Sequence, residues 1–147
     1  MFLLDTNHCS GLLMGNPTLL EKLSALGDPP LSSCTIVVGE LVDMAARSRD
    51  RQTNLIRVQQ FFAGLHIYPC DSETAEIYGV LKADFFRRYG PKDKRQRRRT
   101  TINQLGIGDN DLWIAAITLQ HNLTLVTADS DFQRLPTPQP LPIESWL

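Results

Sequence analysis

Four acidic residues occupy positions that suit a metal-dependent site for cutting phosphodiester bonds. Each lies at the end of an apolar run or near the start of a helical one: Asp5, Glu40, Asp111 and Asp129. In an α/β protein such positions gather at the carboxyl edge of the strands, where ligands bind. Carboxylate oxygens are hard ligands that favour Mg²⁺ or Mn²⁺ over softer metals. The pattern therefore predicts a shared divalent-cation site.

A divalent cation would give these acids a common chemistry. It would offset their mutual repulsion, bind a scissile phosphate, lower the pKa of an attacking water and stabilise the leaving oxygen. The three histidines, His8, His66 and His121, are not spaced like a catalytic base. We therefore expect hydrolysis by metal-activated water, without a side-chain nucleophile.

Each acid also has a purely structural interpretation. Asp5 could be a turn residue after a strand, and Glu40 could lie on a helix surface. Asp111 could act with its neighbour Asp109 as a capping or first-turn acid. Asp129 could belong with Asp131 to an acidic turn. We favour one shared site over four independent structural roles.

Composition indicates an ordinary globular domain that spans residues 1–147. The chain has 42% hydrophobic and 21% charged residues, enough for one compact core. Cys9, Cys34 and Cys70 form neither a Cys-x-x-Cys pair nor a zinc spacing, which indicates a reducing, cytoplasmic compartment. The opening Met-Phe-Leu-Leu has no positive charge, and no apolar run is long enough to span a membrane. We expect a soluble protein with no membrane partner.

Charge is concentrated in one segment of the chain. Between Lys82 and Arg99, nine Lys or Arg residues stand against two Asp, so this segment carries +7 while the rest of the chain carries −8. Such runs often only keep a surface solvated, but this one is dense enough to favour binding to a phosphate backbone. The predicted RNA-binding residues are Arg87, Arg88, Lys92, Lys94, Arg95, Arg97, Arg98 and Arg99.

The elements that would position these residues alternate between strand and helix. Strands are predicted at 2–4, 31–34, 65–69, 124–127 and near the end, at 143–147. Helices are predicted as two short ones within 7–26, one that carries Glu40 and is capped by Ser33 or Thr35, and others at 55–62, 72–89 and 112–121. Residues 92–104 are expected to form an exposed, mobile loop. This order predicts an α/β fold with a parallel sheet covered by helices on both faces.

Four motifs together resemble those of a known family. These are Leu-Leu-Asp-Thr-Asn around Asp5, Gly-Glu-Leu around Glu40, Asn-Asp-Leu-Trp-Ile-Ala-Ala around Asp111 and Leu-Val-Thr-Ala-Asp-Ser-Asp-Phe around Asp129. In order and spacing they resemble the PIN-domain ribonucleases, in particular the VapC-type toxins of toxin–antitoxin pairs. The likeness covers essentially the whole chain.

The resemblance implies a five-stranded parallel sheet and an endoribonuclease dependent on Mg²⁺ or Mn²⁺. It maps the family's acidic quartet onto the four acids above, with Thr6, Asn7 and Thr127 as supporting groups. It also implies a homodimer, an inhibitory antitoxin, and structured substrates such as tRNA or ribosomal RNA. The basic insertion from Lys92 to Thr101 departs from the family pattern, and Asp109 and Asp131 are additional acids without an assigned role.

Two rival functions are compatible with parts of the sequence. A haloacid-dehalogenase-like phosphatase would use the aspartate after the first strand as a nucleophile. That scheme needs a second Asp at the position of Asn7 and a downstream lysine, yet no lysine follows Lys94. The other rival is a nucleic-acid-binding module in which the acids are structural and the basic segment holds the ligand.

Overall fold

A computed structural model describes all residues, 1–147. These residues form two compact units. The first contains residues 1–69, 123–128 and 142–147, and the second contains residues 70–122 and 129–141. The strands are β1 Phe2–Leu4, β2 Leu31–Cys34, β3 His66–Tyr68, β4 Thr124–Val126 and β5 Ile143–Glu144. The helices are α1 Thr6–Leu13, α2 Pro17–Ala25, α3 Thr35–Arg47, α4 Arg51–Ala63, α5 Ser72–Tyr89, α6 Lys94–Arg99 and α7 Asp109–Gln120.

The first unit is built on a five-stranded sheet in the order β3-β2-β1-β4-β5, with every pair of neighbours parallel. Leu3 and Leu4 of β1 and Leu125 and Val126 of β4 are completely buried, as expected for central strands of a parallel sheet. The predicted α/β class and parallel five-stranded sheet are confirmed.

The strand order reverses between β1 and β4. From β1 the chain builds outward to β2 and β3, and later returns to place β4 on the other side of β1, with Leu4 paired to Val126. Ligands of open α/β sheets bind at the carboxyl ends of strands at such a switch point. Asp5, the residue after β1, donates its backbone N–H to the Val126 carbonyl at 3.1 Å and therefore lies at this position.

The helices of the first unit begin largely as the sequence indicates. Pro17 opens α2 after the cap Asn16, whose side chain accepts from the backbone N–H of Leu19. The predicted cap of α3 by Ser33 or Thr35 is wrong. Cys34 is the N-terminal cap and makes no side-chain capping bond, because the helix begins immediately where β2 ends.

The second unit is organised around α5 and α7. Asp71 and Thr74 cap the start of α5 reciprocally, and Gly90 ends it, so the helix has the predicted bounds 72–89. Tyr78 of α5 stacks on Trp113 of α7 with ring centroids 3.7 Å apart and planes 5° from parallel. The two helices are thus joined by aromatic contact as well as by their buried apolar side chains.

The basic segment differs from the loop that its composition predicts. Residues 94–99 form α6, and residues 103–105 form a 3-10 helix. Asp93 caps α6 by accepting from the Gln96 backbone N–H at 2.9 Å, and Arg97 bonds the carbonyls of Pro91 and Lys92 at 2.9 and 3.1 Å. Local capping therefore gives structure to a stretch that lacks apolar residues, although its side chains are exposed as expected.

Arg134 holds the end of this segment within the second unit. Its guanidinium donates to the carbonyls of Leu105 and Gly106 at 2.8 and 3.0 Å and lies over the rings of Phe85 and Tyr89. Gly106 has φ +85°, a left-handed conformation that favours glycine.

None of the helices has the length and apolar character needed to cross a lipid bilayer.

Candidate active site

Asp5 is the most deeply buried acid of the predicted quartet. It is the N-terminal cap of α1 and is only 5% exposed. Its Oδ1 accepts two hydrogen bonds from one residue, the backbone N–H and the ring Nδ1 of His8, both at 2.8 Å. No hydrogen bond in the structure reaches its Oδ2. One oxygen of this nearly buried carboxylate is therefore fixed, and the other has no protein partner.

Glu40 is connected to the start of α1, next to Asp5 in the chain. It lies on α3, half-buried, and its Oε2 accepts a hydrogen bond from the Thr6 hydroxyl. Because Thr6 directly follows Asp5, the two predicted acids are linked through adjacent residues at the start of α1. Of the other predicted supporting groups, Thr127 is 2% exposed just after β4, whereas Asn7 is exposed on α1.

Asp111 lies in the first turn of α7, in the second unit. Its Oδ2 accepts from the Gly108 backbone N–H at 3.0 Å. A Cβ atom at Gly108 would lie 2.6 Å from this oxygen, so glycine there permits the close approach. Helix α7 begins at Asp109, with Gly108 as the cap, three residues before the predicted start at 112.

Asp129, also in the second unit, is three residues beyond β4 along the chain. Its Oδ1 accepts from the backbone N–H of Asp131 at 2.8 Å and so caps a short 3-10 helix over Ser130–Arg134. Asp131 in turn pairs with Arg134 at 3.3 Å. The structure thereby assigns Asp131, which the sequence left without a role, to an ion pair.

Asp109 also receives a structural role. Its Oδ1 accepts from Lys82 Nζ at 2.7 Å and from the Tyr78 hydroxyl at 2.8 Å. Burial favours a raised pKa for Asp109, but the hydrogen bonds from Lys82 and Tyr78 outweigh it and leave that pKa below its ordinary value. The bond to Asp109 likewise raises the pKa of Lys82. This carboxylate is committed to a surface ion pair.

Cys9 offers no reactive thiol to the site. None of the three cysteines forms a disulfide, and Cys9 is completely buried next to Leu4 and Ser33. Burial raises the pKa of the Cys9 thiol to about 12, so it stays protonated and unreactive at neutral pH.

The predicted ligands are thus distributed over both units. Asp5 and Glu40 belong to the first, and Asp111 and Asp129 belong to the second. No group of three or more His, Cys, Asp or Glu side chains in the structure is arranged to hold a metal ion. The donor chemistry nevertheless fits a hard cation, since Asp5 is nearly buried and its Oδ2 lacks a hydrogen bond.

The predicted RNA-binding residues fall into two groups. Arg87 pairs with Asp84, Arg88 lies over the Tyr89 ring, and Arg97 is tied to backbone carbonyls. The remaining five are exposed and have no carboxylate partner: Lys92, Lys94, Arg95, Arg98 and Arg99.

Comparison with known proteins decides the family. The sequence model of the PIN domain matches residues 2–138. The chain belongs to the PIN-domain family. This membership confirms the family and the nuclease class that the four motifs predicted.

Relatives of this PIN domain have similar length. It is 29% identical to Ribonuclease VapC2 of Rickettsia felis, over 99% of this chain and 98% of that protein. It is 25% identical to the tRNA(fMet)-specific endonuclease VapC of Salmonella typhimurium, over 99% and 97% of the two chains. It also resembles the crystal structure of DNA-bound VapBC from Salmonella typhimurium, with a TM-score of 0.78, 25% identity and 99% and 98% coverage.

Sequence reasoning missed His8 and Arg134 as contributors to this PIN domain. His8 had a signal that could have found it, because a helix cap and the residue three positions later lie within hydrogen-bonding reach. No local sequence signal indicates the role of Arg134, because its partners Phe85, Tyr89 and Gly106 are distant from it in sequence.

Proposed function

We propose that this PIN domain is an endoribonuclease that depends on Mg²⁺ or Mn²⁺ and acts as the VapC-type toxin of a toxin–antitoxin pair. The observation that carries the proposal is Asp5, which follows β1 at the switch point of the sheet with one oxygen fixed and the other without a hydrogen bond. One relative is named a ribonuclease and another a tRNA(fMet)-specific endonuclease, which supports RNA as the substrate. We propose that this RNA is structured, either tRNA or, as the family resemblance implies, ribosomal RNA.

Asp5, Asp111 and Asp129 are the residues that we assign to the metal, with Glu40 binding it or orienting the attacking water. A bound Mg²⁺ or Mn²⁺ would supply a Lewis acid that makes water a better nucleophile and stabilises charge on the phosphate. The protein's own contribution is to hold its carboxylates still. Thr6 does this for Glu40, and backbone N–H groups do it for the three aspartates.

The basic helix α6 is proposed to hold the RNA backbone. Arg95, Arg98 and Arg99 are spaced at three and four residues, which places them on one helix face. Like charges at that spacing destabilise an isolated helix, and a polyanion would relieve their repulsion. The exposed side chains of these three arginines make no hydrogen bond or ion pair in the protein, so they are available to phosphates.

The family resemblance and the likeness to a VapBC structure support a VapB-type antitoxin as partner. An apolar groove of about 780 Å³ in the first unit, between α1, α3 and α4, suits an apolar helix face of that partner. Its lining includes Leu13, Leu41, Met44 and Phe61, and Met44 is half exposed. We also propose a homodimer, a cytoplasmic location, and one functional domain formed by both units, since the PIN match spans them.

The partner proposal is tested by purifying the protein from its native host together with any small protein that copurifies. We expect that protein to silence Mn²⁺-dependent RNA cleavage, and Met44→Lys to abolish the inhibition. Val80→Lys, which changes a similarly exposed apolar residue on α5, should leave inhibition intact. A copurifying protein that does not inhibit, or inhibition that Met44→Lys leaves unchanged, would contradict this assignment.

The activity itself is tested with four single variants: Asp5→Asn, Glu40→Gln, Asp111→Asn and Asp129→Asn. Asparagine keeps the acceptor oxygen that each aspartate offers to the backbone, so the helix ends should survive. Each variant should lose at least about a hundredfold in cleavage rate, equivalent to roughly 2.7 kcal/mol of transition-state stabilisation. Asp43→Asn, an exposed acid of α3, serves as control. Asp5→Asn that cuts RNA at the wild-type rate would refute the assignment.

A non-catalytic nucleic-acid-binding module is the second candidate. It is favoured by the fact that Asp111 and Asp129 already cap local structure, as purely structural acids do. That module would not respond to metal. The proposed nuclease should instead gain about 2.7 kcal/mol with Mn²⁺ a hundredfold above its dissociation constant, a rise of roughly 5 to 10 °C in Tm.

A further inference from the structure

The buried histidine next to Asp5 has no part in the activity described above. His8 is completely buried, and its Nδ1 lies 2.8 Å from Asp5 Oδ1. The backbone N–H of the same residue reaches the same oxygen, also at 2.8 Å. Its ring meets Trp146 edge-on, with centroids 6.4 Å apart, and Trp146 is itself only 4% exposed. The ring is thus held between the first turn of α1 and the end of the chain.

The contacts of His8 determine which ring nitrogen bonds to Asp5. A carboxylate oxygen accepts hydrogen bonds, so Nδ1 is the donor to Asp5 Oδ1, beside the backbone N–H of the same residue. Nε2 is buried and has no hydrogen-bond partner. The His8 ring is therefore hydrogen-bonded to the protein through Nδ1 alone, and that bond goes to Asp5.

This arrangement suits an acid that is to hold a cation. A lysine or arginine in the same place would bring a permanent positive charge to Asp5 and compete with the metal. The hydrogen bonds from His8 both go to Oδ1, so they leave Oδ2 open to a ligand. Two donors on one oxygen also restrict rotation of the carboxylate, which keeps Oδ2 in a single orientation.

We propose that His8 is a positioning residue for the metal site, which holds Asp5 so that its Oδ2 is ready for a divalent cation. This inference rests on the proposed metal-dependent activity. It adds a residue that acts through Asp5 and touches neither the substrate nor the ion.

The test measures Mn²⁺ binding by titration calorimetry on the full-length protein, without RNA. His8→Phe keeps a ring against Trp146 but removes both nitrogens. His8→Asn keeps a donor at the position of Nδ1, because its amide nitrogen is the same number of bonds from Cβ. His8→Gln has the same amide one bond farther out. We expect His8→Phe and His8→Gln to weaken Mn²⁺ binding about tenfold or more, and His8→Asn to stay within about threefold of wild type.

The outcomes separate the two proposals. A merely structural role for His8 would lower Tm in all variants and leave the Mn²⁺ dissociation constant unchanged, which would overturn the positioning role alone. Wild-type protein that binds no Mn²⁺ would overturn the metal site, and the role of His8 with it. Should His8→Phe fail to fold because its ring is too large, the Asn and Gln pair decides. Equal Mn²⁺ affinity of that pair contradicts the proposal.

Discussion

Three of the four predicted ligands share one arrangement of their carboxylate oxygens. Asp5, Asp111 and Asp129 each give one oxygen to a nearby backbone N–H, at 2.8, 3.0 and 2.8 Å. Each of these acids therefore has a structural role, and Asp5 has that of a helix cap rather than of a turn residue. A carboxylate has two oxygens, however, and capping with one of them orients the other. Structural and functional roles are compatible in the same residue.

The hydroxyl of Thr6 should matter for activity more than for stability. Thr6→Val removes the donor to Glu40 while it keeps the shape of the side chain. We expect RNA cleavage to fall about tenfold, because an acid near the metal loses its orientation. The free energy of unfolding should change by no more than about 1 kcal/mol. Thr6→Ser, which retains the hydroxyl, should restore most of the rate, and equal rates for the two variants would contradict this role.

The ion pair of Lys82 with Asp109 predicts a pH dependence of stability. Because the folded-state pKa of Asp109 is lowered, its contribution is present above its ordinary pKa of 3.8 and is lost as the pH falls through the lower folded value. Because the pKa of Lys82 is raised above 10.5, its contribution is lost only at still higher pH. Urea unfolding of Asp109→Asn should show a shallower loss of stability below pH 4 than wild type. Parallel acid profiles would rule the pair out as a contributor.

At the scale of elements, the sequence predicts those whose signals are local. Helix α5 begins at the Asp71 cap and ends at Gly90 because both signals lie in the residues themselves. Helix α6 was missed because it has no apolar face, and its stability depends on capping by Asp93 and on bonds from Arg97 to preceding carbonyls. The spacing of Ile77, Val80, Leu81 and Phe85 predicts one core-facing side of α5, but Val80 is 62% exposed and that part of the prediction is wrong.

Arg134 should be hard to replace because it combines hydrogen bonding with ring contacts. The ammonium group of lysine cannot donate to two carbonyls in the geometry of a planar guanidinium, and it has no planar group to lie over Phe85 and Tyr89. We expect Arg134→Lys to lower the free energy of unfolding by about 2 kcal/mol, measured by urea denaturation. Arg95→Lys, in the exposed helix α6, should have no measurable effect. Similar losses for both would show that the contacts of Arg134 are not decisive.

Helix α6 should contribute to RNA affinity through charge alone. Replacing Arg95, Arg98 and Arg99 together by Gln should weaken RNA binding and reduce the slope of log K against log salt by about 2. The matched control replaces Lys22, Arg49 and Arg51 by Gln, with the same loss of charge in the first unit. Salt titrations of both proteins make the comparison, and an equal loss of slope in both would contradict a specific role for α6.

At the scale of the whole molecule, the chain combines a strongly basic segment with an acidic remainder. The +7 of residues 82–99 against the −8 of the rest suits a protein that must bind both a polyanion and a cation. The sequence predicts this polarity directly, because charge is additive along the chain.

The sequence also predicts the five strands and the acids that follow them, because short buried strands and strand-end carboxylates are local patterns. The contact of His8 with Trp146 and that of Asp109 with Lys82 were not predicted, since both join residues distant in the chain. Such partners are chosen by the fold and not by the neighbouring sequence. What the sequence does not predict is thus the set of contacts that would support the proposed site.

The central claim is that scattered acids of this PIN domain share one divalent cation. The most direct measurement is anomalous diffraction from crystals of the full-length protein soaked in manganese. We predict an anomalous peak bound by Asp5 Oδ2 together with oxygens of Asp111 or Asp129. Manganese absent from Asp5, with the carboxylates of the quartet directed to separate places, would contradict the account.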